Sequence, residues 1–170
     1  ILSDDIYRYV WEGGLSMSGG NPYTHPPDAF DSTDPIRSAV NHSHLSSIYP
    51  PLTMCFFTLM TAISYTIWPF KVAMAVIDTL IVVVLVDVLQ HRRRSQEAAW
   101  LYALHPLPII ESAGSGHIDS LGVLLMMLAI RFHIRGGSGV VWMGLGGLVK
   151  FLPLLLLPAV WKRRPKGLFV

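Results

Sequence analysis

Long apolar runs, separated by short polar segments, follow an initial polar stretch of about fifty residues. Five such runs predict helices, at residues 52–68, 72–89, 98–110, 121–130 and 139–161. The first two approach the roughly 20 residues that a helix needs to cross a bilayer. The third is interrupted by Pro106 and Pro108. The fifth contains Lys150 and Pro153, so it fits either one span kinked at Pro153 or a re-entrant pair that turns at Lys150.

This pattern predicts an all-α membrane protein, a polytopic transmembrane helix bundle with a polar outer loop that carries short surface helices. Residues 1–51 would form the extracytoplasmic loop, and residues 52–170 a transmembrane region of about five or six spans or half-spans. In the loop we expect a helix from Asp4 to about Met17, broken by the glycine pair at 13–14 or the pair at 19–20. Residues 21–27 should be irregular because proline lacks a backbone donor. A short helix should start at Asp34-Pro35.

Composition and charge support a membrane protein and exclude a nucleic-acid partner. Hydrophobic residues make up 52% and charged residues 14% of the chain, whereas soluble domains carry about 25% charged residues. Residues 1–51 have a net charge of −4 and the remainder +6. The basic residues cluster at 92–94, at 131 and 135, and at 162–166, without aromatic interleaving. Such clusters are typical of cytoplasmic loops. The chain starts without Met and ends in an apolar tetrapeptide, so we interpret it as a fragment.

The sequence leaves the membrane topology open: either one of the first two runs does not fully span, or the positive-inside rule is broken. If runs 52–68 and 72–89 both cross, the arginines at 92–94 share a side with Asp4, which the positive-inside rule disfavours. Two acidic residues lie in the second run. Asp87 should pair with the arginines at 92–94, and Asp78 should form a hydrogen bond between helices. A secondary transporter that uses these intramembrane carboxylates is the alternative function.

Three polar clusters interrupt the apolar chain and are candidates for chemistry. The first contains Asp4 and Asp5, with Arg8 and Glu12 at helical spacing; the second is Glu111 with His117 and Asp119; the third is Lys150. A carboxylate could take a proton from a hydroxyl, and a cation or metal could stabilise a leaving phosphate. The acidic pair could equally cap a helix, because acidic residues in a first turn interact favourably with the helix dipole.

Several motifs resemble those of one enzyme family. Ser3-Asp-Asp-Ile-Tyr-Arg-Tyr-Val-Trp-Glu-Gly13, Gly20-Asn-Pro-Tyr23 and Ile48-Tyr-Pro-Pro-Leu52 are similar to the first outer loop of polyprenyl-phosphate-sugar-dependent glycosyltransferases of the GT-C superfamily, especially its mannosyltransferase-like bacterial members. The stretches His105-Pro-Leu107, Glu111-Ser-Ala-Gly-Ser-Gly-His-Ile-Asp119 and Leu148-Val-Lys-Phe-Leu-Pro153 resemble later motifs in the same order. Two departures are His105, where Asn is usual, and Gly14, where Arg is usual.

The resemblance implies an inverting transfer of a hexose, with mannose favoured, from a polyprenyl phosphate to a glycan or lipid acceptor. It implies Asp5 as general base, with Asp4 assisting or binding a divalent metal such as Mg or Mn. It would place the enzyme in the cell membrane, with its active-site loop outside the cytoplasm. A fragment this short should be inactive alone. The residues expected to bind substrate are Arg8, Glu12, Asn21, Tyr23, Tyr49, Glu111, His117, Asp119 and Lys150.

Overall fold

The structure, a computed structural model, describes residues 3–30 and 33–160, and every regular element in those ranges is helical. The α-helices are α1 (Asp5–Met17), α2 (Pro35–Ser38), α3 (Pro51–Ile63), α4 (Trp68–His91), α5 (Trp100–Ala103), α6 (Pro106–Pro108), α7 (Asp119–Ile134), α8 (Val140–Gly147) and α9 (Leu157–Val160). Short 3₁₀ turns lie at Pro27–Ala29, Gln96–Ala99 and Leu152–Leu156, and a π-helix at Ile109–Gly114. The basic cluster at 162–166 and the chain end lie outside the described residues.

The predicted helix at the start of the outer loop is confirmed, and it runs straight through Gly13 and Gly14. A Cβ atom on Gly13 would lie 2.5 Å from the carbonyl oxygen of Phe57, and one on Gly14 would lie 2.6 Å from the ring of Tyr65. These glycines therefore allow α1 to pack directly against α3 and the turn after it. The chain leaves the helix at Gly19, which has a φ of +83°, a value that glycine adopts readily.

The other predictions for the outer loop are confirmed in outline. The carboxylate of Asp34 accepts a hydrogen bond from the amide of Ile36 at 2.8 Å and caps α2, which begins with Pro35. Residues 21–26 have no regular structure. Pro51 lies in the first turn of α3, where a proline leaves no hydrogen bond unmade. The loop thus delivers the chain to the bundle through a proline-initiated helix.

The first two apolar runs form helices of very different length. Helix α3 has 13 residues, about 20 Å at 1.5 Å per residue, which is less than the roughly 30 Å of a bilayer core. Helix α4 has 24 residues, or about 36 Å. Within 3–30 and 33–160, α4 alone is long and apolar enough to cross a membrane. Five or six spans are therefore not confirmed, and the option in which run 52–68 does not cross is favoured.

Helices α4 and α7 lie side by side and run in the same direction. Asp78, close to the middle of α4, accepts a hydrogen bond of 2.9 Å from the hydroxyl of Ser120, at the start of α7. Near their ends, Asp87 forms ion pairs with Arg131 at 2.8 Å and Arg135 at 2.6 Å. The predicted pairing of Asp87 with the arginines at 92–94 is wrong, because Asp87 faces α7 whereas those arginines follow the end of α4. Residues 96–114 return the chain from the far end of α4 to its start.

Asp78 forms the predicted hydrogen bond between helices. Besides Ser120, it accepts a hydrogen bond from the hydroxyl of Tyr102 at 2.9 Å. Both carboxylates of α4 are thus held by neighbouring segments of the bundle. This pairing gives no support to a transport path through them.

The fifth apolar run folds back on itself. Gly146 of α8 packs against Pro153, beyond the turn, and Val160 packs with Met143 and Ala129. This hairpin agrees with the re-entrant alternative, in which Lys150 lies at the turn. Lys150 is thereby brought to the same end of the bundle as the start of α7.

Candidate active site

The first turn of α1 meets the segment after the π-helix, although the two are more than a hundred residues apart in the chain. The Nε2 atom of His117 lies 3.5 Å from a carboxylate oxygen of Asp5 and 3.0 Å from the hydroxyl of Ser3. The Asp5 side chain is 40% exposed and that of His117 is 20% exposed. The structure therefore brings together residues from the first two polar clusters at a position open to water.

The backbone before His117 explains this approach. The π-helix Ile109–Gly114 ends in a turn at Gly116, whose φ is +81°. A Cβ atom on Gly116 would collide with the side chain of Ile6 in α1. The ammonium group of Lys71 donates a hydrogen bond to the carbonyl of Gly114 at 2.6 Å, which holds the turn to the start of α4. π-Helical turns recur at functional sites.

Glu111 contacts the opposite nitrogen of the same imidazole ring. One of its carboxylate oxygens lies 2.7 Å from Nδ1 of His117. When His117 carries a proton on both nitrogens, its ring bridges Glu111 and Asp5. When it is neutral with the proton on Nδ1, its Nε2 can accept a hydrogen bond from Ser3. In both states Glu111 fixes the orientation of the ring.

Asn41 holds the other oxygen of Asp5. The side-chain amide of Asn41 donates a hydrogen bond to Asp5 Oδ1 at 3.0 Å. Asn41 is not among the site residues that the sequence predicts. Its contact with Asp5 depends on how the loop folds, so no local pattern could reveal it.

Asp4 differs from its neighbour. Its side chain is exposed and forms no cap hydrogen bond to α1. The hydroxyl of Ser3 instead accepts a hydrogen bond from the amide of Asp5 at 3.3 Å. Asp5 is therefore the carboxylate that the site positions, and an assisting role for Asp4 stays a prediction.

Arg8 and Glu12 are buried and turn towards the loop. The guanidinium group of Arg8 contacts Glu12 at 3.3 Å and donates hydrogen bonds of 2.6–3.1 Å to the carbonyl oxygens of Asn41, His42 and Leu45. Glu12 also accepts a hydrogen bond of 2.9 Å from the hydroxyl of Ser47. Burial raises the pKa of Glu12 to about 7, although Ser47 and Arg8 oppose the rise. These contacts anchor residues 41–47 and do not support substrate binding by Arg8 or Glu12.

Asn21 and Tyr23 also shape the loop. The Asn21 side chain accepts a hydrogen bond from the amide of Tyr23 at 3.0 Å, and the Tyr23 hydroxyl donates one to the carbonyl of Tyr49 at 2.8 Å. Tyr49 packs edge-on against Tyr9, with ring centroids 5.4 Å apart. Burial raises the pKa of Tyr49 to about 12, so its phenol remains protonated at neutral pH. Of these three predicted binding residues, Tyr49 lines the cavity beside Asp5.

That cavity has a volume of about 230 Å³ and lies between α1 and the loop. The cavity is lined by residues of these two segments: Asp5, Arg8, Asn41, His42, Leu45, Ser46, Ile48 and Tyr49. The carboxylate of Asp5 is thus accessible from the loop side as well as from the side of His117.

Asp119 and Lys150 form an ion pair at the same end of the bundle. Their side chains are 56% and 41% exposed. The turn that carries Lys150 is held by the hydroxyl of Thr53, which donates to the carbonyl of Val149 at 2.8 Å. Lys150 is therefore a positioned, water-accessible cation whose present partner is a carboxylate.

The donor set does not fit a divalent metal. In the part of the chain that the structure describes, no group of three or more His, Cys, Asp or Glu side chains could hold a metal ion. Asp5 and Glu111 contact opposite nitrogens of His117, so their oxygens do not converge on one point. A divalent metal such as Mg or Mn stays a prediction that these contacts do not support.

His105, which stands where the family motif usually has Asn, can perform the same local role as Asn. His105 Nδ1 accepts a hydrogen bond from the amide of Leu107 at 3.2 Å and caps α6. An asparagine side chain at an N-cap accepts the same kind of bond. His105 thus preserves the start of the segment that leads to Glu111.

Comparison with known proteins agrees with the motifs. A family model described as "Alpha-(1->6)-mannopyranosyltransferase, N-terminal domain" matches residues 1–163. No curated protein and no solved structure matches the chain.

Proposed function

The chain belongs to the alpha-(1->6)-mannopyranosyltransferase family, and we propose that its site moves mannose from a polyprenyl-phosphate donor to a glycan or lipid acceptor. Membership makes the protein a glycosyltransferase that acts on mannose. The observation that carries the finer proposal is the contact between Asp5 and His117. It joins the loop and bundle motifs in one water-accessible site.

Asp5 is the general base in this proposal. It takes the proton from the acceptor hydroxyl while that oxygen forms a bond to C1 of mannose. The bond between C1 and the phosphate oxygen breaks, and its electron pair leaves with the polyprenyl phosphate. A single displacement inverts C1, so an α-linked product requires a β-linked donor. A positioned general base typically contributes about 10²–10⁴-fold to the rate.

Three neighbours of Asp5 prepare it for this role. Asn41 holds Oδ1 at 3.0 Å, and His117 faces Oδ2 at 3.5 Å. Glu111, at 2.7 Å from the far nitrogen of His117, orients the ring. We assign Asn41 and Glu111 as positioning residues, and His117 as the group that receives or shares the proton held by Asp5.

Lys150 is the cation best placed to meet the leaving phosphate. An exposed ion pair such as that with Asp119 contributes only about 0–1 kcal/mol. A phosphate can therefore displace Asp119 and take over the ammonium group of Lys150. Arg8, the other cation suggested by the sequence, is buried against loop carbonyls.

The surface and the ends of α4 support a membrane location. Val72, Val76 and Val83 expose more than half of their surface on this helix, a pattern that favours contact with lipid. Lys71, at the start of α4, contacts the turn that packs on α1, whereas the arginines at 92–94 follow the end of α4. We propose that the Asp5 end is extracytoplasmic and the arginine-rich end cytoplasmic, in agreement with the positive-inside rule.

Substitution of Asp5 in the full-length protein tests the function. Asp5→Asn should reduce mannose transfer from polyprenyl-phosphate mannose in membranes by about 10²–10⁴-fold, with normal insertion and expression. Asp28→Asn is the matched control, because Asp28 is an exposed carboxylate of the same loop that does not line the cavity. Normal transfer by Asp5→Asn would overturn the proposal. Loss of function in Asp78→Asn alone would instead favour transport.

A further inference from the structure

We propose that the cavity between α1 and residues 41–49 is the acceptor subsite and holds the terminal sugar of the acceptor. This inference rests on the proposed function, because it takes Asp5 as the base. Asp5 and Asn41 lie in the wall of the cavity. A sugar bound there presents a hydroxyl group to Asp5 Oδ1, the oxygen that already accepts a hydrogen bond from Asn41.

The two sides of Asp5 suit different substrates. On the bundle side lie His117 and, near the same end, Lys71 and Lys150. A donor tethered to a lipid must approach from this side. The cavity, in contrast, is lined only by α1 and the outer loop. The loop-side cavity is therefore left for the water-soluble glycan end of the acceptor.

The chemistry of the lining fits a sugar. Ser46 supplies a hydroxyl group, His42 an imidazole and Tyr49 an aromatic ring. Leu45 and Ile48 add apolar surface; Ile48 is 82% exposed and lies at the rim. The volume of about 230 Å³ is below the roughly 300–1,000 Å³ of pockets for drug-sized ligands. The cavity therefore suits one sugar residue and leaves the rest of the acceptor outside.

The wall of the cavity is preformed, because hydrogen bonds within the protein fix the loop. Arg8, which is 7% exposed, binds three carbonyl oxygens of residues 41–45. Glu12, which is 0% exposed, accepts a hydrogen bond from Ser47. These buried charges fix the loop that forms the outer wall. A preformed site binds with a smaller ordering cost, so this arrangement explains why two charged residues of α1 are buried against the loop.

Ile48→Trp in the full-length protein tests the subsite, because the larger ring would fill the cavity from its exposed rim. We expect the acceptor KM to rise at least tenfold, while the donor KM stays within twofold of wild type. Ser46→Gln, on the cavity wall, should act in the same direction. The control is His44→Trp, since His44 is exposed on the same loop and does not line the cavity; both its KM values should stay near wild type.

The outcomes separate this inference from the proposed function. Absence of transfer from polyprenyl-phosphate mannose in wild type would refute the proposed function. Normal wild-type transfer, combined with an unchanged acceptor KM in both Ile48→Trp and Ser46→Gln, would refute the subsite alone. A rise in the donor KM instead, or an equal rise of the acceptor KM in His44→Trp, would also refute it.

Discussion

The contact between α1 and the turn before His117 depends on Gly116. The substitution Gly116→Ala should push these two segments apart. Two effects add. An L-residue in the left-handed region costs about 1–2 kcal/mol, and the φ of Gly116 is +81°. The new Cβ would also collide with Ile6, and overpacking of this kind costs about 1–3 kcal/mol. We expect a total destabilisation of about 2–5 kcal/mol.

Two further variants separate these effects. Gly19→Ala has a similar backbone angle, with a φ of +83° and nothing within 4 Å of the new Cβ, so it should show only the backbone cost. Ile6→Val removes the terminal methyl group that the Cβ would meet, at a cost of about 0.5–1.5 kcal/mol by itself. In the Ile6→Val background, Gly116→Ala should therefore cost only about 1–2 kcal/mol.

Thermal melting of the purified full-length protein in detergent, together with the initial rate of mannose transfer, provides the assay. The melting temperature should fall more for Gly116→Ala than for Gly19→Ala, and the fall that Gly116→Ala causes should be smaller in the Ile6→Val background. The transfer rate should also fall more for Gly116→Ala than for Gly19→Ala, since a shift of about 1 Å in a catalytic group can reduce the rate 10²-fold. The reasoning is refuted if Gly116→Ala is as harmful in the Ile6→Val background as in the wild-type protein.

Three further predictions concern charged residues of the loop and the bundle. The pKa of Glu12 is raised from 4.5 to about 7, so between these pH values the folded protein binds more protons than the unfolded chain. Its stability should therefore fall as pH rises through this window, by at most about 1.4 kcal/mol per pH unit. Glu12→Gln should flatten the dependence of the melting temperature on pH. Glu111→Gln should reduce kcat about tenfold to a hundredfold with an unchanged donor KM, and a changed donor KM would contradict its positioning role. Asp87→Asn should lower the melting temperature without altering either KM, because Asp87 ties α4 to α7 far from the site.

Sequence patterns predicted the elements whose signals are local. The apolar run at 72–89 became α4, and Asp34-Pro35 started α2, because hydrophobic length and capping chemistry act within a few residues. The spacing of Arg8 and Glu12 correctly placed them on one face of α1. Their burial against loop carbonyls did not follow from that spacing, since it depends on where residues 41–47 return.

Contacts between segments far apart in the chain could not be predicted from the sequence. Asp87 was expected to pair with the nearest arginines in the chain, but the parallel packing of α4 and α7 offered it Arg131 instead. Asn41 lies 36 positions from Asp5 and carried no catalytic signal. The length of run 52–68 was also misleading, because α3 ends at Ile63 and residues 64–67 form a bend before α4.

A double-substitution cycle tests the central claim, that Asp5 and His117 act as one site, most directly. The kcat/KM for mannose transfer should be measured for the full-length wild type, Asp5→Asn, His117→Ala and the double variant. Residues that act as a unit show non-additive losses, so the double variant should be no slower than Asp5→Asn alone. If the two losses multiply in the double variant, Asp5 and His117 act independently and the account is contradicted.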